Sequence, residues 1–150
     1  MSEAAQLEPV TGYTFEEIEL GMHASLENIV KAEDIQSFAA ITGDHNPVHL
    51  EPDYAAQTPF KGIISHGMLT ASYISAVFGM RLPGPGAIYV AQTLNFRRPV
   101  RIDDRITTTV TVAELLPKKR RVRFECVCTN AEGKVVLEGE AMMMVPERAT

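Results

Sequence analysis

The chain has 150 residues, enough for one domain whose core buries roughly 70% of the surface the unfolded chain exposes. Hydrophobic residues make up 45% and charged residues 22%, an ordinary globular composition that argues against disorder, collagen and coiled coil. The 14 Lys+Arg against 19 Asp+Glu leave a net charge of -5, which disfavours nucleic acid and anionic lipid as partners and requires any phosphate-bearing ligand to be met by locally placed cations.

Two cysteines, Cys126 and Cys128, are too few and too close for a disulfide framework. The opening MSEAAQLEP lacks the basic and apolar regions of a signal peptide, so a reducing cytoplasm is the expected setting. The uncharged run from Gly67 to Met80 is shorter than the ~20 apolar residues of a membrane span.

Residues 1–21 read as an acidic, weakly patterned N-terminal arm, and the pattern leaves open whether it packs; residues 22–150 read as the domain. A strand is expected from about His23 to Val30. Glu33 and Asp34 open a helix carrying Ile35, Phe38, Ala39 and Thr42 as a stripe, and Gly43 can close it in a left-handed conformation. Pro47 cannot continue that helix and pushes Asn46 towards extended geometry, so Asp44 to His49 is expected as a stiffened, non-helical loop. Pro52 suits the first position of another short helix.

From Gly67 to Met80 helical spacing puts Leu69, Tyr73, Ala76, Val77 and Met80 on one face, with small residues Ala71, Ser72, Ser75 and Gly79 opposite, as expected of a buried helix. After Pro83-Gly84-Pro85-Gly86 the period changes to two. Strands are expected over Ile88–Phe96, around Ile106–Val112, around Val122–Cys128 and over Val135–Val145, the last two joined by a turn at Asn130-Ala131-Glu132-Gly133. Five strands and one apolar helix make an α+β domain, an antiparallel sheet curled around a long central helix.

Asp44 and His49 are five residues apart on one loop, and two titratable groups held together can divide acid and base work. The competing reading is a solvated loop, with Asn46 in an Asx-turn before Pro47. Asp44, His45, His49 and His66 are also conceivable metal ligands, but Pro47 breaks the helical pairing of His45 with His49 and no Cys or Glu cluster completes a set; no metal is expected. Ser65-His66-Gly67 opens the apolar helix, where unpaired amides and the positive end of the dipole suit an oxygen that gains negative charge; the plainer reading is a helix start with Gly at its cap.

Gly43-Asp44-His45-Asn46-Pro47-Val48-His49, followed by Ile64-Ser65-His66-Gly67-Met68, resembles the hydratase-2 motif of the MaoC-like dehydratases, particularly the short (R)-specific enoyl-CoA hydratases. The similarity runs on through Ile88-Tyr89-Val90-Ala91-Gln92 to Val145. It implies a hot-dog fold, an acyl-CoA substrate, no cofactor and a homodimer. It puts the catalytic pair on Asp44 and His49, a supporting Asn on Asn46, the oxyanion amide on Gly67 and a helix serine near the pair on Ser75.

The CoA phosphates would need cations, for which Lys61, Arg97, Arg98 and Arg101 are candidates, whereas Lys118-Lys119-Arg120-Arg121 sits at an expected hairpin turn and reads as solvated. Gln92 interrupts an apolar strand face and must find hydrogen bonds, either bracing the active loop or bridging backbone. Cys126 and Cys128 share a face with Phe124 and read as buried, inert thiols. The expected activity is hydration of trans-2-enoyl-CoA to (R)-3-hydroxyacyl-CoA and its reverse. An acyl-CoA thioesterase and a non-catalytic acyl-CoA binding subunit are the alternatives on the same fold.

Overall fold

The computed structural model describes residues 11–147. Strand β1 (His23–Ile29) leads into helix α1 (Ala32–Thr42), two short helices α2 (Pro47–Leu50) and α3 (Pro52–Ala56), and the long helix α4 (Gly67–Met80). Strands β2 (Ile88–Gln92), β3 (Asn95–Phe96), β4 (Arg105–Leu116), β5 (Arg121–Thr129) and β6 (Val135–Met144) follow. They form one antiparallel sheet in the order β1-β4-β5-β6-β2, with β3 also paired to β6. This is the α+β hot-dog arrangement, with α4 packed on β4 and β1.

Alternation along β4 and β5 builds most of the sheet's inner face, and β6 breaks step where Val136 and Leu137 are both buried. Ile106, Val110 and Val112 of β4 and Val122, Phe124, Cys126 and Cys128 of β5 point inward, and Val136, Ala141 and Met143 of β6 join them. The β5–β6 turn closes as expected: Asn130 Oδ1 accepts from the amides of Glu132 and Lys134, and Gly133 takes the positive φ of +74° that a side chain would resist. Gly43 likewise ends α1 at φ +80°.

Three expectations change. The single strand over 88–96 is two: Thr93 donates its amide to the Glu140 carbonyl at 2.8 Å while its own carbonyl crowds Gly139, and the chain bends before pairing resumes at Asn95. Six strands therefore replace five. The buried face of α4 is Thr70, Ile74, Val77 and Phe78; of the expected stripe Val77 is buried, Leu69 and Tyr73 are partly buried against the core, and Ala76 and Met80 are open to solvent with Ser72, Ser75 and Gly79 in the single chain. Both stripes fit a 3.6 period; α4 turns its bulkier β-branched and aromatic residues to the sheet and its small ones outward. Finally, Pro47 stops one helix but starts another. It occupies the first turn of α2, where its missing N–H costs nothing, so His49 stands on one turn of helix and not on an irregular loop.

The arm is described from residue 11. Tyr13 N–H donates to the Pro83 carbonyl at 2.7 Å, Phe15 N–H to the Pro146 carbonyl at 2.9 Å, and Ile18 is buried, so 11–21 lies on the same core; the rest of the arm falls outside the described residues.

Candidate active site

Local chemistry shapes the Asp44–His49 segment. Thr42 Oγ1 accepts the Asp44 amide at 3.1 Å, Asp44 Oδ1 accepts the Asn46 amide at 3.2 Å, and Asn46 Oδ1 caps α2 by accepting the Val48 amide at 3.3 Å. Asn46 thus makes the Asx-type contact that its place before a proline suggested. The capping oxygen leaves its NH2 group for other partners.

Across the fold, residues 64–66 bind this segment. His49 Nδ1 lies 2.8 Å from the Ile64 carbonyl oxygen, His66 Nε2 lies 3.0 Å from the Asp44 carbonyl oxygen, and the Ile64 amide donates to the Val48 carbonyl at 3.3 Å. A carbonyl only accepts, so His49 carries its proton on Nδ1 and leaves Nε2 with a lone pair, the arrangement of a base. Asp44, His49 and His66 offer polar atoms all within 4.8 Å of one another. The two imidazoles lie against one another at a tilt, with centroids 4.0 Å apart and planes 31° apart. The fold thus brings His66, from the start of α4, to Asp44 and His49, a three-residue grouping that sequence spacing had left incomplete.

Gly67 opens α4, where first-turn amides have no acceptor within the helix. It and His49 line one cavity of about 500 Å³, walled by Phe60, Met68, Phe96, Val100 and Leu137, with Thr70 and Arg98 also on the lining. A side chain at 67 would collide with Phe96, whose ring carbons lie 2.7 and 2.9 Å from the place a Cβ would take. The glycine is required by a close approach, and not by backbone torsion.

The other expected residues fall into two groups. Arg97 and Arg98 line the cavity, but Arg97 is paired with Glu138 at 2.7 Å, whereas Arg98 donates to the neutral Val135 carbonyl at 2.6 Å and keeps its charge uncancelled. Arg101 donates to the Phe60 carbonyl at 2.5 Å, and Lys61, exposed with φ +61°, follows that same phenylalanine. Ser75 and Gln92 are not on the cavity lining. Ser75 is exposed on α4, and Gln92 bridges locally, accepting from the Tyr89 hydroxyl and donating to the Thr93 carbonyl. Residue types and spacing did not foretell Phe96 or the Ile64 carbonyl, since one acts by packing and the other through backbone.

Fold and site together define a small hot-dog domain with an Asp/His pair beside a free helix amide. The chain belongs to the MaoC-like domain family, whose model matches residues 14–136. It is 56% identical over 134 residues to the (R)-specific enoyl-CoA hydratase of Rhodospirillum rubrum, covering 89% of this chain and 92% of that one. It is 52% identical over 134 residues to the 3-hydroxybutyryl-CoA dehydratase of Methylorubrum extorquens, covering 89% and 85%. The unliganded R-hydratase PhaJ1 of Pseudomonas aeruginosa superposes with a TM-score of 0.88 at 46% identity, covering 93% of this chain and 89% of that one.

Proposed function

We propose that the protein adds water to trans-2-enoyl-CoA to give (R)-3-hydroxyacyl-CoA and catalyses the reverse dehydration. The observation that carries the mechanism is the His49 tautomer: with Nδ1–H given to the Ile64 carbonyl, Nε2 is free to take a proton from water. Asp44, with the Asn46 amide on its carboxylate, shares that water: hydroxide adds to C3, and the proton taken from the water passes from His49 through Asp44 to C2, so both additions come from one face of the alkene. Negative charge grows on the thioester oxygen, which the Gly67 N–H and the positive end of α4 receive. Losing such a donor typically costs about 3–4 kcal/mol of transition-state stabilisation. The names of the relatives support this reading, and the apolar cavity beside His49 suits an acyl or pantetheine chain.

Of the cations on the cavity lining, Arg98 is the better phosphate ligand, because Glu138 already neutralises Arg97, and exposed Lys61, next to the lining residue Phe60, is a second candidate. The working form is a homodimer, supported by β2, which ends the sheet and leaves Ile88, Tyr89 and Val90 exposed. Cys126 and Cys128, both unpaired, suit the reducing cytoplasm, and no helix among the described residues is long and apolar enough to cross a membrane.

The test is kinetic. Asp44→Asn and His49→Ala should each lower crotonyl-CoA hydration by about 10²–10⁴-fold while the cooperative unfolding transition persists. Near wild-type turnover in either variant would remove that residue from the acid-base pair.

A further inference from the structure

His66 stands at the N-cap of α4, where Ser, Thr, Asp or Asn usually accepts a helix amide, yet its side chain makes no capping bond. The ring is 2% exposed and turned to the Asp44–His49 segment instead. Nε2 donates to the Asp44 carbonyl, one ring contact runs to His49, and another runs to Phe38 of α1 with centroids 4.7 Å apart. Nδ1 is buried with no hydrogen-bond partner among the described residues, and so is Oγ1 of Thr70, one helical turn further on. A buried polar ring that leaves one nitrogen unsatisfied carries a cost, and neither capping nor a complete hydrogen-bond set offsets it here.

We propose that His66 is a positioning residue that fixes Asp44 and His49 relative to the Gly67 amide. The proposal rests on the acid-base reading above and deepens it. The hydrogen bonds that Thr42, Asp44 and Asn46 side chains make along the segment are local, each spanning two residues, and would travel with the segment if it shifted. His66 is different: it holds the backbone of Asp44, lies against the ring of His49, and is covalently joined to Gly67. The backbone of Ile64 also ties His49 and Val48, but His66 is the side chain that touches both Asp44 and His49, and with those backbone ties it sets the spacing between the groups that would deliver water to C3 and a proton to C2 and the amide that would bind the thioester oxygen. A reaction with three simultaneous contacts is sensitive to such spacing, and a displacement near 1 Å can cost about 100-fold in rate. Gly67 offers the amide, and the imidazole that precedes it has a task of its own.

Three variants separate the two ties. His66→Gln keeps a donor within reach of the Asp44 carbonyl but loses the ring, His66→Phe keeps a ring against His49 but loses the donor, and His66→Ala loses both. With crotonyl-CoA, kcat should fall about 10-fold in Gln and Phe and about 100-fold in Ala, with KM held within about threefold in all. In parallel, the ¹⁵N signals of the His49 ring should report the Nδ1–H tautomer in the wild type and move towards the tautomer-averaged position in Ala, as the hydrogen bond to the Ile64 carbonyl loosens without the His66 ring against His49. A His66→Ala enzyme with kcat within threefold of wild type, or one whose His49 signals are unchanged, would overturn the proposal. If wild type itself does not hydrate crotonyl-CoA, the functional reading fails, and the ¹⁵N signals still decide whether His66 holds His49.

Discussion

A histidine acts as a base through the nitrogen without a proton, and here a backbone carbonyl, that of Ile64, selects it for His49. Such a tie cannot be read from residue types, because every residue has a carbonyl; Asp44, Asn46, His49 and Gly67 were singled out by the resemblance of their motif to the MaoC-like dehydratases, since residue types and spacing alone left a solvated loop and a plain helix start as competing readings. Cys126 shows the same contrast. Its inward position followed from strand alternation, and burial pushes its thiol up to about 12 from an ordinary value of 9.0, partly opposed by a hydrogen bond from Gln92. The sign follows from that shift. With the folded value raised, the stabilising contribution is complete below pH 9.0 and is lost as pH climbs towards about 12, because the unfolded chain ionises first. Burial raises Cys128 in the same direction. The urea midpoint should therefore fall above pH 9 more steeply in wild type than in Cys126→Ala/Cys128→Ala, as followed by circular dichroism; equal slopes would show that neither thiol contributes.

At the scale of elements, α4 and β3 meet through Gly67 and Phe96. Adding a methyl at 67 forces the Phe96 ring aside; that ring is 54% exposed and can turn, so the cost falls at the low end of the about 1–3 kcal/mol of core overpacking and is set against the better helix propensity of Ala. Gly67→Ala should thus be less favourable in the wild-type background than in Phe96→Ala, a coupling of about 0.5–3 kcal/mol in a denaturant double-mutant cycle. Additive effects would mean that the ring does not seat on the glycine. The long elements β1, α1, α4, β4, β5 and β6 were legible, since their period-two and period-3.6 patterns are bounded by Gly and Pro, whereas the one-turn helix α2 was not, because four residues are too few to show a period. The inward face of α4 was not: with no charged side, its hydrophobic pattern points in no single direction, and contact with β4 and β1 selects Thr70, Ile74, Val77 and Phe78. The split of the strand over 88–96 was equally hidden, because the crowding of Thr93 on Gly139 is a contact between distant backbones.

For the whole molecule, the sheet has an inner face filled by α4 and a free edge at β2. Ile88 is 53% and Val90 41% exposed on that edge, an arrangement a soluble monomer would ordinarily blunt with charge. A second copy paired there would cover both. Light scattering after gel filtration should give twice the chain mass of 16.5 kDa for the wild type and a shift towards the monomer for Val90→Lys, whereas a monomeric wild type would sink the dimer. The net charge of -5 also gains a narrower meaning: a polyanionic substrate is compatible with it when Arg98 and its neighbours meet the phosphates locally. The most direct measurement of the central claim is the product formed from crotonyl-CoA and water, resolved by chiral chromatography. The account predicts loss of the conjugated enoyl absorbance and appearance of (R)-3-hydroxybutyryl-CoA; an (S) product, release of free CoA thiol, or no turnover would contradict it.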